Sequence, residues 1–330
     1  MMNFLKLDQL LVNEPVYRRQ QINKLIFQDL IDNWRAGTTL PKTLREMLNR
    51  EVSLAINAQE FISKDGTVKA LITLGDGLKI ETVLMRLKDR HTVCISSQVG
   101  CPLGCLFCAT GQMGFKRNLD RDEILDQVLY FARRLKKEKA KITNIVFMGM
   151  GEPFLNYDNV VQSIKALNNP AMFGLGARHI AVSTAGLPEE IEKFGNEGWE
   201  VNLAISLHAA NDGLRSQLMP INQKYPLAVV MAAVKNYLRK THRKVMFEYL
   251  LLGGVNDSDQ DALDLCRLLT NPIFHLNLIQ YNPTGQFKPS SRERVEAFKK
   301  ILTTNHVSFT ERYRFGLDIK AACGQLATQP

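Results

Sequence analysis

This chain of 330 residues lacks several features that would assign it to a particular class of protein. It has no apolar run approaching the roughly 18 residues that a membrane-spanning helix needs. Its first residues, MMNFLKLDQLLVNEP, lack the charged start, apolar stretch and small-residue cleavage site of a secretory signal. The sequence also has no internal repeat and no low-complexity tract. We therefore expect a globular protein of the cytoplasm that does not interact with membranes.

Cysteine is scarce, with six residues in the chain, yet four of them lie in CISSQVGCPLGCLFCAT, residues 94–110. In a reducing compartment such cysteines are metal ligands or catalysts more often than structural disulfides. Cys101, Cys105 and Cys108 have the spacing C-x3-C-x2-C, and no second cysteine pair completes a structural zinc site. Three thiolates can hold three irons of a 4Fe-4S cluster and leave the fourth iron open. A zinc site with one further ligand stays as the alternative.

Strands and helices alternate about six times in the sequence after residue 90. Strands are predicted at TVCISS, NIVFMG, HIAVSTAG, VNLAISLH, KVMFEYLLL and HLNLIQYNP. A helix is predicted from Asp120 to Lys137, where Asp120 and Glu123 have the spacing of a capping box. Almost wholly apolar strands separated by helices indicate a parallel sheet covered on both faces. We expect an α/β fold in which six βα units form a partial TIM-like barrel, because a closed barrel needs eight.

The sequence before this alternating region is predicted to be mostly helical up to about residue 60, with Pro41 opening one helix. VKALITL and LKIETVL then flank the turn residues Gly75-Asp76-Gly77 and predict a β-hairpin. We divide the chain into a helical accessory domain at 1–62, a hairpin linker at 63–90, a core at 91–312 and a C-terminal segment at 313–330.

The net charge is +9, from 42 Lys and Arg against 33 Asp and Glu. This excess suits a nucleic-acid partner, because phosphate contacts favour Lys and Arg. Basic stretches occur at KRNLDRDE, ARRLKKEKAK, LRKTHRK and ERYRFG. Each of them can equally be a solvated helix face, so charge alone leaves the partner open.

Polar or glycine-rich residues follow the predicted strands, at the edge where parallel α/β folds bind ligands. The cysteine loop follows the first strand, and GMGEP, residues 149–153, follows the second. Ser183, Ser206, His208 and Asn282 come at the ends of later strands. GMGEP is not a dinucleotide fingerprint, because the third glycine is missing. We expect these groups to converge on one site.

The cysteine loop, with the aromatic Phe107 before its last cysteine, resembles that of the radical S-adenosylmethionine (SAM) superfamily, and GMGEP resembles that superfamily's second-strand motif. CISSQVGC, GFKRNL, FMGMGEP, STAG, SLHA, PIN, GGVNDS, NP and AACGQL occur in this order. Together they resemble the RNA methyltransferase family of RlmN and Cfr, from about residue 16 to 327. The resemblance implies one 4Fe-4S cluster on the three loop cysteines. The residues implied to contact SAM are Gly151, Glu152, Ser183, Ser206, Leu207, His208 and Asn282.

The resemblance also implies a reaction. Carbons C2 and C8 of adenine are electron-poor and cannot attack the methyl group of SAM, so a methyl group must arrive as a radical. Cys323, in AACGQL, is implied to accept a methyl group from one SAM by displacement, while a second SAM provides the radical. Cys94 is implied to release the product by forming a transient disulfide with Cys323. Glu81, in KIETVLM, is implied to accept the ring proton, with a solvent-facing hairpin position as its alternative; Cys266 is predicted to be core packing.

The implied substrate is an adenosine of 23S rRNA, with a tRNA adenosine left open and YRRQQINKLIFQ resembling the family's RNA-docking domain. A flavodoxin or ferredoxin would donate electrons to a monomeric enzyme. QYNP, FGLDI and LMPIN depart from the more usual PWNP, RGDDI and VPIN and favour Cfr-type C8 methylation, whereas CISSQVGC and SSRERVEAF favour RlmN-type C2 methylation. We favour C2. The second alternative is an RNA-binding iron–sulfur protein without methyl transfer, which would have no need of Cys323.

Overall fold

The computed structural model describes residues 2–271 and 273–328, so the outer limits predicted at residues 1 and 330 lie outside the described residues. The α-helices are α1 Phe4–Leu10, α2 Val16–Asn23, α3 Lys42–Glu51, α4 Ala109–Gln112, α5 Arg121–Lys137, α6 Tyr157–Asn168, α7 Pro188–Asn196, α8 Asp212–Leu218, α9 Leu227–Thr241, α10 Asp259–Leu268 and α11 Arg292–Thr304. None of the described helices has the length and apolar character needed to cross a bilayer.

The β-strands form a large sheet and a small hairpin. They are β1 Ala58–Ile62, β2 Val68–Thr73, β3 Lys79–Leu87, β4 Arg90–Cys94, β5 Gln98–Gly100, β6 Phe115–Asn118, β7 Asn144–Phe147, β8 Ile180–Thr184, β9 Asn202–Ser206, β10 Val245–Leu251, β11 Phe274–Gln280 and β12 Phe309–Glu311. Within the described residues, the large sheet has the order β1-β2-β3-β4-β7-β8-β9-β10-β11-β12.

The large sheet combines an antiparallel hairpin region with a parallel core. Strands β1 to β4 pair antiparallel, and every neighbouring pair from β4 to β12 is parallel. The sheet is open, with β1 at one edge and β12 at the other. The parallel strands are mostly buried on both faces because helices cover them. The predicted α/β fold with six βα units in an open, partial barrel is confirmed.

Four short strands differ from the sequence prediction. The helical segment ends at Glu51, and β1, predicted as helix up to about residue 60, pairs with β2. Strand β12 has only three partly exposed residues, too few to produce an alternating pattern. Strands β5 and β6 form a hairpin on either side of the cysteine loop. Strand β6 is mostly exposed and polar, so its sequence shows no strand pattern.

The capping box at the start of α5 is confirmed. Asp120 Oδ1 accepts a hydrogen bond from the Glu123 amide at 2.8 Å, and Glu123 Oε2 accepts one from the Asp120 amide at 3.1 Å. The Glu123 carboxylate also receives both terminal nitrogens of Arg117, at 2.7 and 2.8 Å. Because Arg117 lies on β6, this bidentate pair fastens the hairpin around the cysteine loop to α5.

The N-terminal helices pack directly on the core. The rings of Phe4 and Phe27 stack with centroids 5.5 Å apart, and Phe27 contacts Phe173 at 5.1 Å. The buried Trp34 donates its indole N–H to the Val52 carbonyl at 2.7 Å. The buried residues of this segment belong to the same continuous apolar cluster as the sheet. The accessory segment is therefore held in a defined position relative to the site.

Gly100 tests whether the hairpin sets the position of the cysteine loop. It has a φ of +77°, and a Cβ there would lie 1.8 Å from the Gly114 carbonyl oxygen. We expect Gly100→Ala to lower the free energy of unfolding by about 2 kcal/mol or more, because backbone atoms must move apart. The matched control is Gly75→Ala, where nothing lies within 4 Å, with an expected change within about 0.5 kcal/mol. Urea unfolding measures both; equal midpoints for the two variants would contradict the close contact.

Candidate active site

The three cysteines of the loop are partly buried between β5 and α4. Burial raises the pKa of the Cys101 thiol to about 12 and that of Cys105 well above its ordinary value. Interaction with Cys108 and with the Glu152 carboxylate raises both pKa values further. Thiolates at Cys101 and Cys105 are therefore unfavourable without a nearby cation, which fits two ligands of a metal cluster. Among the described residues, no three Cys, His, Asp or Glu side chains form the compact group that a single ion requires.

The GMGEP turn after β7 needs its glycines. A Cβ on Gly149 would lie 2.7 Å from the Ile95 carbonyl oxygen, and Gly151, with a φ of +98°, would place one 2.5 Å from Gln98 Cβ. Glu152 is 4% exposed and accepts hydrogen bonds from the amides of Phe154 at 3.0 Å and Ala185 at 2.8 Å. Burial raises its pKa to about 7. The turn thus lies close against β5, and Glu152 connects it to the end of β8.

Ser183, Ser206 and His208 lie at the ends of β8 and β9. The two serine hydroxyl oxygens are 3.4 Å apart on neighbouring strands. His208 has a φ of +57°, and its Nδ1 accepts a hydrogen bond from the Leu250 amide at 3.1 Å. Burial lowers the pKa of His208 to about 3, so the ring is neutral and carries its proton on Nε2. Its ring meets the edge of Phe107, with centroids 4.6 Å apart.

Leu207 occupies a different kind of position from its neighbours in SLHA. Its side chain is fully buried, and its amide donates to the Glu248 carbonyl at 3.0 Å. Its carbonyl accepts a bond from Arg215 Nε at 3.1 Å. Leu207 therefore anchors the end of β9 to β10, and any contact it makes with a ligand comes through the backbone around it.

The segment that carries Cys323 is fastened to the cysteine loop. The bonds that hold it join the Ala109 amide to the Gly324 carbonyl at 2.8 Å, Thr110 Oγ1 to the Leu326 carbonyl at 2.6 Å, and Asn282 Nδ2 to the Cys323 carbonyl at 3.1 Å. Cys323 itself is an exposed residue. Asn282 Oδ1 is buried and has no hydrogen-bond partner among the described residues, which leaves an acceptor for a ligand.

Cys94 and Cys323 lie close enough for their charges to interact. Burial raises the pKa of the Cys94 thiol, and the neighbouring Cys323 raises it further. Removal of water by the surrounding residues raises the pKa of the Cys323 thiol as well. The Arg312 guanidinium opposes both shifts, and the Met148 amide opposes that of Cys94. Both cysteines are free thiols, at the end of β4 and beside the cysteine loop respectively.

Glu81 is buried, so the solvent-facing alternative on the hairpin is wrong. Its side chain is 0% exposed, and Oε1 lies 2.9 Å from the ammonium of Lys69, which is 1% exposed. Its other oxygen, Oε2, accepts a hydrogen bond from the Ala327 amide at 2.9 Å. Strand β3 faces inward here because β2 and β4 flank it and the C-terminal segment covers it. Glu81 therefore connects the hairpin to the segment that carries Cys323.

A buried polar cluster on β10 and β11 lies beside the two thiols and was missed in the sequence. Glu248 Oε1 accepts hydrogen bonds from Asn277 Nδ2 at 2.8 Å and Arg312 Nη2 at 3.1 Å. Glu248 and Asn277 are directly paired residues of the two strands. One acid and one amide inside otherwise apolar strands were the available signal. For Arg312, the sequence offered no signal beyond its place in the basic stretch ERYRFG.

Arg215 was also missed, although it is fully buried. Its guanidinium donates to the carbonyls of Leu207 at 3.1 Å, Ala185 at 2.7 Å and Ser206 at 3.1 Å, and to Asn222 Oδ1 at 2.7 Å. Burial lowers its pKa to about 10, which leaves it charged at neutral pH. Its positive charge lies within range of Cys105 and lowers the pKa of that thiol. Arg215 therefore orders the ends of β8 and β9 and offsets negative charge in the loop.

Two of the motifs are structural in this geometry. In PIN, Asn222 receives Arg215 and donates to the Asp212 carbonyl at 3.2 Å. In GGVNDS, Asn256 Nδ2 donates to the carbonyls of His208 at 2.8 Å and Leu250 at 2.7 Å. Both asparagines are buried. They hold loops that position SLHA, and they do not open onto the site themselves.

The basic stretch ARRLKKEKAK on α5 binds other parts of this chain. Arg133 Nη1 donates to the Leu54 carbonyl at 2.7 Å, and Arg134 forms a salt bridge with Glu60 on β1. Lys136 donates to the Asp29 carbonyl. These contacts attach the accessory segment to the core, so the stretch contributes less free positive surface than its composition suggests. Cys266, on α10, packs against the core as predicted.

The seven residues predicted to contact SAM lie at the carboxyl ends of β7, β8, β9 and β11, at the same edge of the sheet as the cysteine loop. The loop, the GMGEP turn and the segment with Cys323 contact one another through the bonds described above. These groups, distant in sequence, therefore lie together at one edge of the sheet. This is the edge at which open α/β sheets bind their ligands.

Comparisons with known proteins agree with this arrangement. A sequence profile of the Radical SAM superfamily matches residues 95–266. The chain is 44% identical to the "Probable dual-specificity RNA methyltransferase RlmN" of Chloroflexus aurantiacus, over 98% of this chain and 91% of the relative. It is 43% identical to the "Ribosomal RNA large subunit methyltransferase N" of Nitrosopumilus maritimus, over 94% and 92%. The crystal structure of a radical SAM methyltransferase from Sphaerobacter thermophilus has a TM-score of 0.95 and 44% identity, covering 99% of this chain and 98% of that one.

Lys69 provides a test of the buried ion pair. Lys69→Met leaves the Glu81 carboxylate buried beside no ammonium, so we expect the free energy of unfolding to fall by about 3–5 kcal/mol. The double variant Lys69→Met, Glu81→Gln should recover most of this loss, because no charge is then buried and the amide oxygen can still accept from Ala327. Urea unfolding of both variants measures the difference. A single variant as stable as the wild type would show that Lys69 is not the counter-charge.

Proposed function

Because the chain belongs to the radical SAM RNA methyltransferase family of RlmN and Cfr, we propose that it methylates carbon C2 of an adenosine in the peptidyl-transferase centre of 23S rRNA through a methylated cysteine. The observation that carries this proposal is the attachment of the segment with Cys323 to the cysteine loop, beside Cys94. A direct nucleophilic methyl transfer needs no accessory thiols. Two thiols outside the ligand set favour a route through a sulfur-bound intermediate.

The superfamily implies a 4Fe-4S cluster and SAM. Cys101, Cys105 and Cys108 would hold the cluster, and the raised pKa values of Cys101 and Cys105 fit a site that becomes thiolate only with a cationic occupant. When bound, the cluster and SAM supply an electron and a 5′-deoxyadenosyl radical. The backbone of Gly151, the carboxylate of Glu152 and the unpartnered Oδ1 of Asn282 offer acceptors for the amino group of SAM.

The rest of the proposed SAM site comes from β8 and β9. The hydroxyls of Ser183 and Ser206 provide two neutral donors or acceptors at adjacent strand ends. His208 provides a neutral ring, with Nε2–H as a donor, next to the apolar wall of Phe107. The amide and carbonyl of Leu207 are engaged by Glu248 and Arg215, so Leu207 positions Ser206 and His208. A set with neutral side chains here suits an adenosine moiety, which carries no charge.

Cys323 is the proposed methyl acceptor. Its sulfur attacks the methyl carbon of the first SAM, so an S–C bond forms as the sulfonium bond breaks and S-adenosylhomocysteine leaves. The pKa of the thiol is raised, so the thiol must lose its proton for this step. The positive charge of Arg312 favours the thiolate. A second SAM is consumed as the radical source, so each turnover uses two.

Glu81 and Cys94 complete the proposed reaction. Glu81 Oε1 lies 2.9 Å from the ammonium of Lys69, and its carboxylate is the group proposed to accept the ring proton. Because Oε2 is engaged by the Ala327 amide, the C-terminal segment must shift before Glu81 reaches a substrate. Cys94 then bonds to the Cys323 sulfur as the bond from that sulfur to the product carbon breaks, which leaves a disulfide for an external reductant.

The proposed partners follow from the same reaction. The target adenosine must leave its stack to reach Cys323. The exposed Tyr17 and Arg19 of the accessory segment, in YRRQQINKLIFQ, offer a ring and a guanidinium for docking folded RNA. The relatives are named dual-specificity RNA methyltransferases, so we extend the proposal to a tRNA adenosine. A flavodoxin or ferredoxin supplies electrons to a monomeric enzyme in the cytoplasm.

Nucleoside mass spectrometry tests the proposed product. Protein with a reconstituted cluster is incubated without oxygen with SAM, dithionite and unmodified 23S rRNA, and the RNA is digested. We expect 2-methyladenosine from the wild type and at least a 100-fold loss in Cys323→Ala, with iron content retained. Cys266→Ala is the matched control, because that thiol lies on α10 outside the site. 8-Methyladenosine would instead establish a Cfr-type activity, and neither product would favour the non-methylating alternative.

Cys94 is tested by the intermediate that its loss should preserve. Cys94→Ala cannot form the disulfide, so we expect the RNA to stay covalently bound to Cys323 and migrate with the protein in a denaturing gel. Digestion of this species should release a peptide around residue 323 carrying a modified adenosine. Normal turnover without an adduct would remove Cys94 from the reaction, whatever the position of the methyl group.

A further inference from the structure

An exposed aromatic patch lies between β12 and the segment with Cys323. Tyr313 is 62% exposed, and its ring meets Phe315 edge-on with centroids 4.7 Å apart. Leu317, 42% exposed, lies near them. A cavity of about 440 Å³ opens here, lined by Gln280, Glu311, Arg312, Tyr313, Arg314 and Leu317. We refer to Tyr313, Arg314, Phe315 and Leu317 as the Tyr313 patch. Large aromatic side chains are seldom left exposed in a group without a partner.

The Tyr313 patch adjoins the two reactive thiols. Arg312, the residue before Tyr313, lines the cavity and also reaches inward to Glu248 at 3.1 Å. Its guanidinium interacts with the charges of both Cys94 and Cys323. Arg312 therefore lines the cavity and also interacts with the two thiols. A molecule that presents a group to Cys323 would extend over this patch.

The charge of the patch is positive. Glu311 is the acid in the cavity lining, and its carboxylate is engaged by Lys299 at 3.0 Å and by Gln280 at 2.5 Å. The charge of Arg314 also interacts with the Glu311 carboxylate, but no carboxylate lies within salt-bridge distance of Arg314 in the part of the chain that the structure describes. The combination is an exposed aromatic face with an available guanidinium. Single-stranded nucleic acid presents the complement, a flat base joined to a phosphate.

We propose that Tyr313 stacks on an unpaired base of the RNA substrate next to the extruded adenosine, while Arg314 contacts the adjoining phosphate. This inference rests on the proposed function and names one contact that the reaction requires. Stacking makes no demand on base identity, so the patch holds the strand and Cys323 acts on its neighbour. Tyr313 lies two residues before FGLDI, one of the stretches where this sequence departs from the usual family pattern.

Tyr313→Ala and Tyr313→Trp test the contact. The probe is a transcribed fragment of 23S rRNA that contains the peptidyl-transferase centre, bound to cluster-loaded protein at one fixed salt concentration. We expect Tyr313→Ala to raise the Kd in filter binding, and the KM for the fragment with dithionite, about tenfold or more, because a stacked base is lost. Tyr313→Trp should bind within about threefold of the wild type, and its added fluorescence should be quenched by the fragment.

The matched control is Ile273→Ala. Ile273 is 38% exposed and comes just before β11, at the opposite end of the strand from the cavity, so its Kd should equal that of the wild type. An unchanged Kd and KM in Tyr313→Ala, or no quenching in Tyr313→Trp, overturns the inference while the proposed function stands. A defect seen only with flavodoxin, and not with dithionite, also overturns it, since the patch would then dock a protein. If the wild type neither binds nor methylates the fragment, the proposed function fails as well.

Discussion

The hydrogen bond from the Ala327 amide to the buried carboxylate of Glu81 holds the last segment of the chain in the site. Without it and the two bonds to the cysteine loop, Cys323 would belong to a tail with no fixed relation to Cys94. The carboxylate can be buried because Lys69 lies 2.9 Å from it, so the position of Cys323 depends on a lysine 254 residues earlier. The hairpin of β2 and β3 thus supports the arrangement on which the proposed chemistry depends.

The site concentrates groups that are negative when ionised. The thiols of Cys94, Cys101, Cys105 and Cys323 and the carboxyl group of Glu152 all have raised pKa values, chiefly because their surroundings remove water from the charged form. Two buried arginines offset part of this charge, Arg215 behind the loop and Arg312 beside the thiol pair. A cationic occupant, such as iron or the sulfonium of SAM, would supply the rest. The same surroundings that disfavour the negative forms of these groups would favour a cation beside them.

The fold was predictable as far as local patterns extend. Apolar strands alternating with helices, and the capping box of Asp120 and Glu123, indicated the parallel sheet and α5. The three-residue β12 and the polar β6 were missed, because short or exposed strands are formed by pairing with neighbours and leave no periodicity. The site residues at strand ends could be predicted because the apolar pattern of each strand shows where that strand ends. The buried polar residues that were missed contact partners distant in sequence: Glu248, Asn277, Arg215 and Arg312. No pattern in the neighbouring sequence indicates those partners.

The sequence by itself determined the family, the order of strands, the ligand spacing of Cys101, Cys105 and Cys108, and the presence of two further thiols. These depend on neighbours in the chain or on motifs that stand alone. Only the tertiary structure decided that Glu81 is buried against Lys69 and that Cys94 lies close enough to Cys323 for their charges to interact. It also decided that the basic stretch of α5 binds the accessory segment and that Tyr313 is left exposed. The physical reason is that burial and ion pairing are properties of surroundings assembled from distant segments, which spacing along the chain does not encode.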